Sequence, residues 1–185
     1  MSDSERLASI EALVMDVDGV LTDGTFSWSA SGDETKSFSF EDVMGLSRAR
    51  QAGLTLGLIS GEDSVLVDRF AQKLAITNVA KGCKEKGAAL RRFAETTGIA
   101  LARTAYIGDD VNDLPALAAA GVSVAPANAQ PQVRAAVALV LERSGGHGAV
   151  REFVEMILAQ RSYESNSKVV QAADQMFQDV NSMSR

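Results

Sequence analysis

Four short apolar runs, each closing abruptly near a small, acidic or basic group and each followed by a stretch of helical character, constrain this chain more than anything else in it. Ile10 to Met15 leads into Asp16-Val17-Asp18-Gly19, Leu54 to Ile59 into Ser60-Gly61-Glu62, Thr77 to Ala80 toward Lys86, and Thr104 to Ile107 into Gly108-Asp109-Asp110. Short runs without polar alternation suit strands buried on both faces, and strands that alternate with helices suit a parallel sheet. The expected class is therefore α/β, a Rossmann-like parallel sheet with helices on both faces. In such a sheet the C-terminal strand ends converge on one edge, where ligands bind, so groups far apart in sequence can gather there.

The helical stretches fall at Asp42 to Ala52 (closed by Gly53), Ser64 to Leu74, Lys84 to Gly98, an alanine-rich segment after Asp113, and a turn and helix flanked by Pro126 and Pro131. Val122 to Val124 and Val137 to Leu141 read as the remaining strands. After the flexible break Ser144-Gly-Gly-His-Gly, a helix is expected from Ala149 to about Arg161. The insertion of note is Thr25 to Phe40, which alternates polar and apolar residues around Ser31-Gly32-Asp33 and reads as a β-hairpin. Phe26 and Trp28 fall on one arm, Phe38 and Phe40 on the other. A two-stranded ribbon is marginal alone, so this aromatic face is expected to pack against something, another subunit included. Residues 1–161, with the hairpin at 25–40, read as a single domain, and 162–185 as a helical tail. There Val169, Ala173, Met176, Val180 and Met183 make a short heptad seam, too short to hold an isolated helix, so the tail docks on the body, pairs with a copy of itself, or frays.

The strand ends carry matched chemistry. Asp16 sits where a strand stops, Asp18 two residues on points to the same side if the backbone stays extended, and Gly19 lets the chain turn away. The plainer reading is a capped loop after a core strand, and the remaining strand ends decide against it: Ser60, Lys86, and Asp109 with Asp113 complete a set suited to one site. Carboxylates clustered without His or Cys attract a hard cation, and Mg²⁺ prefers oxygen ligands. Ser60, the amides near Gly61 and the Lys86 ammonium suit phosphoryl oxygens. A net charge of -6 with no basic block argues against nucleic acid or an anionic membrane as partner, and means that an anionic substrate needs local positive charge or a metal. Cys83 is the sole cysteine, no signal-peptide core follows Met1 to Arg6, and no apolar run approaches the roughly 18 residues of a span. A soluble cytoplasmic protein is expected.

The order Asp16-Val-Asp18-Gly-Val, a strand ending in Ser60, then Lys86, then Gly108-Asp109-Asp110-x-x-Asp113 resembles the haloacid dehalogenase superfamily of phosphohydrolases, from about Leu13 to Leu158. The resemblance implies that Asp16 is the nucleophile of an aspartyl-phosphate route and Asp18 the general acid, later the base that activates water. It implies a Mg²⁺ bound by the Asp16 carboxylate, the Asp18 main-chain carbonyl and Asp109, a phosphate gripped by Ser60, Gly61 and Lys86, Asp113 orienting Lys86, and Asp110 around the metal's outer ligands. The intervals from Asp16 to Ser60 and from Ser60 to Lys86 leave no room for a large cap domain. Asp42-x-x-Gly45 and Gly145-Gly146-x-Gly148-Ala149-Val150-Arg151-Glu152 are similar to the capless phosphatases of 2-keto-3-deoxy sugar acids, which implies a phosphorylated sugar-acid substrate and a homotetramer whose hairpins build a shared core. The candidates are the eight-carbon octulosonate 8-phosphate and the nine-carbon nononate 9-phosphate. Glu62 and Lys73, taken as specificity residues, are similar to the nine-carbon type, while Phe70 and His147 depart from both. A receiver-type phosphoacceptor also uses clustered Asp, a Ser/Thr and a Lys, but it lacks a carboxylate at the Asp18 position. An inactive scaffold and a phosphatase of some different small ester also compete with the sugar-acid reading.

Overall fold

The computed structural model describes the backbone of residues 3–183 and the side chains of residues 4–169 and 171. Its strands are β1 (Ala12–Met15), β2 (Ser27–Trp28), β3 (Glu34–Thr35), β4 (Thr55–Ile59), β5 (Asn78–Ala80), β6 (Thr104–Ile107), β7 (Val122–Ala125) and β8 (Leu139–Val140). Six of them form one sheet in the order β5-β4-β1-β6-β7-β8, every pair parallel. The helices are α1 (Asp3–Ala8), α2 (Phe40–Gln51), α3 (Val65–Lys73), α4 (Lys86–Thr97), α5 (Leu114–Ala119), α6 (Pro131–Ala136) and α7 (Ala149–Met183).

Both faces of the sheet are covered, as the unbroken apolar runs require. On β1, Leu13 and Met15 face a core built with Leu46 of α2, Val67 and Phe70 of α3, and Phe153 and Ile157 of α7. Ala12 and Val14 face the other core, with Leu90 and Phe93 of α4, Leu117 of α5 and Val133 of α6. The period-two alternation of the strand thus divides one apolar run between two hydrophobic layers. β1 lies between β4 and β6, which brings Asp16, Ser60 and the Gly108-Asp109 turn to one edge.

Two expectations are corrected. The hairpin is short, with only Ser27–Trp28 pairing with Glu34–Thr35. Beyond Thr35 the chain is drawn to the body. Lys36 bonds carboxylates at the sheet edge, and Phe38 stacks on Phe70 with ring centroids 4.3 Å apart. Phe40 is the first residue of α2 and is exposed; Phe26 and Trp28 remain on the hairpin, tilted against each other at 4.8 Å. The helix expected to end near Arg161 runs on to Met183, because no Gly or Pro interrupts it. The Arg161 guanidinium donates to Ala52 O at 2.9 Å and to Ile10 O, fixing this part of α7 to the body. Val169 of the seam is exposed, and the side chains of Ala173, Met176, Val180 and Met183 lie outside the described residues. The polar N-terminal segment, for which the sequence carries no structural expectation, forms α1, which lies against α7. Among the described residues no helix is long and apolar enough to cross a membrane.

Candidate active site

Asp16 is the first residue beyond β1, buried, with its N–H donated to Ile107 O of the neighbouring strand at 3.0 Å. Its Oδ1 accepts from Val17 N at 2.7 Å, and its Oδ2 lies 2.7 Å from the Lys86 ammonium. Lys86 opens α4, fully buried, and also donates to Asp113 Oδ1 at 2.8 Å. Asp113 is saturated. Its Oδ1 additionally accepts from the Tyr106 hydroxyl at 2.7 Å, and its Oδ2 accepts from Asp109 N at 3.2 Å and Asp110 N at 3.3 Å. Four donors on a wholly buried carboxylate fix the position of Lys86, and through it the ammonium beside Asp16.

Asp16, Asp109 and Asp113 each offer a carboxylate oxygen within 4.8 Å of the others. Asp113 has no lone pair to spare, whereas Asp109 is the opposite case: its Oδ1 is buried and, among the described residues, has no hydrogen-bond partner. Burial first, and the charge of Asp113 second, push the Asp109 carboxyl up to about 7, with Lys86 offsetting only part. Burial, then Asp113, also raise Asp16, against the pull of Lys86. Burial works against the charge of Lys86, but Asp16 and Asp113 outweigh it and raise its pKa. The net result is an excess of buried negative charge at the Asp16 and Asp109 oxygens. A hard divalent cation fits that donor set: oxygen only, one oxygen orphaned, and charge left uncompensated. Gly19, with φ +86°, is obligatory here, since a Cβ would stand 2.0 Å from Asp109 Oδ2.

Asp16, Asp18, Gly61, Glu62, Lys86 and Asp109 all line one open cavity of about 390 Å³. Asp18 sits in the turn after β1 with its side chain 31% exposed. Ser60 is buried just past β4; its Oγ accepts from Glu62 N at 3.1 Å, and no hydrogen bond donated by its own hydroxyl is found among the described residues. Asp110 lines the cavity as well, and its carboxylate caps the turn at Val111–Asp113 by accepting from Val111 N at 2.6 Å. Glu62 reaches the cavity but is held by Lys36 at 2.5 Å. Lys73 does not reach it: it lines a separate depression with Phe38, Phe40, Arg69 and Phe70.

Lys36, Tyr106, Thr22 and Asn128 are the site residues that sequence reasoning missed. The buried Thr22 hydroxyl accepts from Gly19 N and Gly24 N, both at 3.3 Å. Asn128 donates to Gly19 O at 3.2 Å and accepts from Gly145 N at 2.7 Å, tying the Asp16 loop to the glycine-rich turn. That turn is itself held by Asp42, buried on α2, whose carboxylate accepts from Gly148 N at 3.2 Å and Arg151 N at 2.9 Å and so caps α7 from another helix. His147 stays within the turn, its Nδ1 3.0 Å from Gly145 O. Of the four missed residues, Tyr106 alone had a signal, a phenol hydroxyl between Ala105 and Ile107 in a strand expected to be buried on both faces.

The chain is similar to known phosphohydrolases over most of its length. A family described as haloacid dehalogenase-like hydrolase matches residues 77–153. A second, the C-terminal part of flagellar basal body rod FlgEFG proteins, matches residues 148–183, confined to α7 and its preceding residue. The chain is 38% identical to 3-deoxy-D-manno-octulosonate 8-phosphate phosphatase KdsC of Haemophilus influenzae over 97% of its own length and 98% of that protein's. It is 35% identical to the enzyme of that name in Escherichia coli, covering 83% of this chain and 81% of the other. Among solved structures, the cobalt-bound Haemophilus influenzae phosphatase superposes with a TM-score of 0.82 at 40% identity, covering 85% of this chain and 92% of that one. The Moraxella catarrhalis phosphatase, solved with magnesium, phosphate and KDO, gives 0.84 at 36% identity, covering 90% and 96%.

Proposed function

Because the chain belongs to the 3-deoxy-D-manno-octulosonate 8-phosphate phosphatases, within the haloacid dehalogenase-like hydrolases, we propose that it removes the terminal phosphate of the eight-carbon acid, 3-deoxy-D-manno-octulosonate 8-phosphate. The observation that carries the reading is the pairing of a buried Asp16, held against a fixed Lys86, with an Asp109 oxygen that lacks a partner among the described residues. Mg²⁺, held by the Asp16 carboxylate, the Asp18 main-chain carbonyl and Asp109, supplies the charge that lets a carboxylate approach a phosphate.

An Asp16 oxygen forms the bond to phosphorus while the bond from phosphorus to the sugar's terminal oxygen breaks, and Asp18 gives that oxygen its proton. Water then attacks the aspartyl-phosphate, losing its proton to Asp18, and Asp16 is released with inorganic phosphate. Ser60, the Gly61 amide and Lys86 hold the phosphoryl oxygens, and Asp113 keeps Lys86 in place with Tyr106 as its second donor. Asp110 supports this loop as a cap. The nine-carbon acid is the second reading, favoured by Glu62 and Lys73; against it, Glu62 is engaged by Lys36 within the protein. We keep Lys73 as a specificity residue in the separate depression that Lys36 also lines. The exposed Phe26 and Trp28 support a homotetramer joined through hairpins, and the single unpaired Cys83 suits the cytosol.

The test is phosphate release with Mg²⁺ from the eight- and nine-carbon acid phosphates and from common sugar phosphates, ranked by kcat/KM. Preference for the eight-carbon acid is expected. Preference for the nine-carbon acid would transfer the assignment to that substrate, and equal slow release from all would refute a sugar-acid site.

A further inference from the structure

Lys36 follows β3, on a segment with no part in the parallel sheet, yet its side chain is only 1% exposed. Its ammonium lies 2.7 Å from Asp18 Oδ1, 2.5 Å from Glu62 Oε2 and 3.7 Å from Glu34 Oε1. These carboxylates come from three places: the turn after β1, the loop after β4, and β3 itself. Asp18 Oδ2 has no protein partner among the described residues and belongs to a residue that lines the cavity.

We propose that Lys36 is a positioning residue for the phosphatase reaction, gripping Asp18 by Oδ1 so that Oδ2 is held toward the leaving oxygen of the substrate. Glu62 acts through Lys36, anchoring the ammonium from the far side. The proposal rests on the reading of Asp18 as the proton donor. Its physical case is one of magnitudes. As a stabilising pair Lys36 is worth little, since Asp18 and Glu62 are 31% and 54% exposed, and partly solvated ion pairs contribute at most about 1 kcal/mol. As a constraint it is worth more: an acid displaced by about 1 Å loses on the order of a hundredfold in rate. Asp18 stands in a turn, where nothing else given by the backbone fixes its side chain, and short charge-assisted bonds supply that constraint. Lys36 is also poorly suited to receive the substrate's own carboxylate, because its three N–H groups already face three carboxylates.

The discriminating measurement is the rate of leaving-group release in the first turnover, with Mg²⁺, from the eight-carbon sugar-acid phosphate and from 4-nitrophenyl phosphate. A sugar alkoxide needs a proton to leave; nitrophenolate is a stabilised anion and does not. Asp18→Asn serves as reference and is expected to lose about a hundredfold or more on the sugar phosphate with little loss on the aryl ester. Lys36→Met is expected to reproduce that asymmetry, Lys36→Arg to recover part of it, and Glu62→Gln, which keeps the cation, to show the same asymmetry at about tenfold. Equal losses on both esters for Lys36→Met, or for Glu62→Gln if Lys36→Met does not fold, would make Lys36 a structural residue and overturn the proposal. No loss on either ester would overturn it as well. If Asp18→Asn itself shows no asymmetry, the reading of Asp18 as proton donor fails, and that outcome is separate from an asymmetric Asp18→Asn beside a symmetric Lys36→Met.

Discussion

Asp109→Asn should make the metal-free protein more stable while abolishing its activity. The Asp109 carboxyl is raised from 3.8 to about 7, a difference of roughly three units, and each unit corresponds to about 1.4 kcal/mol. For an acid raised on folding, the native state holds a proton that the unfolded chain has released, so stability is lost as pH climbs from about 4 to about 7 and stays lost above it. At pH 8 in EDTA the wild type therefore carries a penalty of up to about 4 kcal/mol that the neutral amide does not, and at pH 5 the difference should shrink below about 2 kcal/mol. Mg²⁺ narrows the gap by binding the native wild type alone, adding about 2.7 kcal/mol at a hundredfold excess over Kd and about 4.1 kcal/mol, enough to close it at pH 8, at a thousandfold excess. Urea unfolding of both proteins at pH 5 and pH 8, with EDTA or Mg²⁺, reads all four conditions. If metal-free Asp109→Asn is no more stable than wild type at pH 8, the uncompensated buried carboxylate is not there and the metal assignment loses its physical basis.

Asp16→Asn should lower turnover more than about a thousandfold, at least about 4 kcal/mol of barrier, while the melting temperature does not fall, because Lys86 keeps Asp113 and the amide carries no buried charge; appreciable residual turnover in steady-state assays would argue against a covalent route. Gly45→Ala places a Cβ 2.7 Å from the Arg151 Cα, backbone against backbone, and should cost about 1–3 kcal/mol in urea unfolding; a neutral result would mean that α2 and α7 are free to separate. Glu62→Gln should lower kcat for the eight- and nine-carbon acids alike, and a changed ratio between them would return Glu62 to substrate recognition. Lys73→Ala should raise KM for the sugar acid without lowering kcat, and an unchanged KM would leave Lys73 a surface charge.

The parallel sheet was legible because its signals are local. Each buried strand is a short apolar run, and the chemistry begins within a residue or two of where the run stops, as at Met15-Asp16 and Ile107-Gly108-Asp109. The strand from Thr104 to Ile107 has the bounds that its apolar pattern predicts. Lys36 and Asn128 were not legible for the converse reason. Each acts across a gap in sequence, Lys36 on Asp18 and Asn128 on Gly19, and a surface-type lysine in a polar hairpin or an asparagine after a proline carries no periodic mark of its partner. The hairpin shows the same limit. Its alternation predicted longer arms, but Lys36 and Phe38 find an ion pair and a stacked ring on the body, and those tertiary contacts outcompete further ladder bonds.

The two short motifs that set this chain beside the sugar-acid phosphatases need not touch the substrate at all. Asp42-x-x-Gly45 gives one carboxylate that caps the start of α7 and one glycine that lets Arg151 lie against α2. The glycine-rich turn before α7 reaches back the other way: Gly146 N donates to Val20 O at 3.0 Å, and Gly145 N is joined to Gly19 O through Asn128. The chain of contacts therefore runs from α2 through the turn to the loop that carries Asp16 and Asp18. It fixes the height of that loop over Asp109, whose oxygen stands so near that Gly19 has no room for a side chain. A departure such as His147 is tolerated because its ring bonds within the turn and not along that route. Sequence differences at Gly45, Asp42, Asn128 or Gly145 should thus weaken the site as effectively as changes in the carboxylates, by moving the loop and not by removing a reacting group.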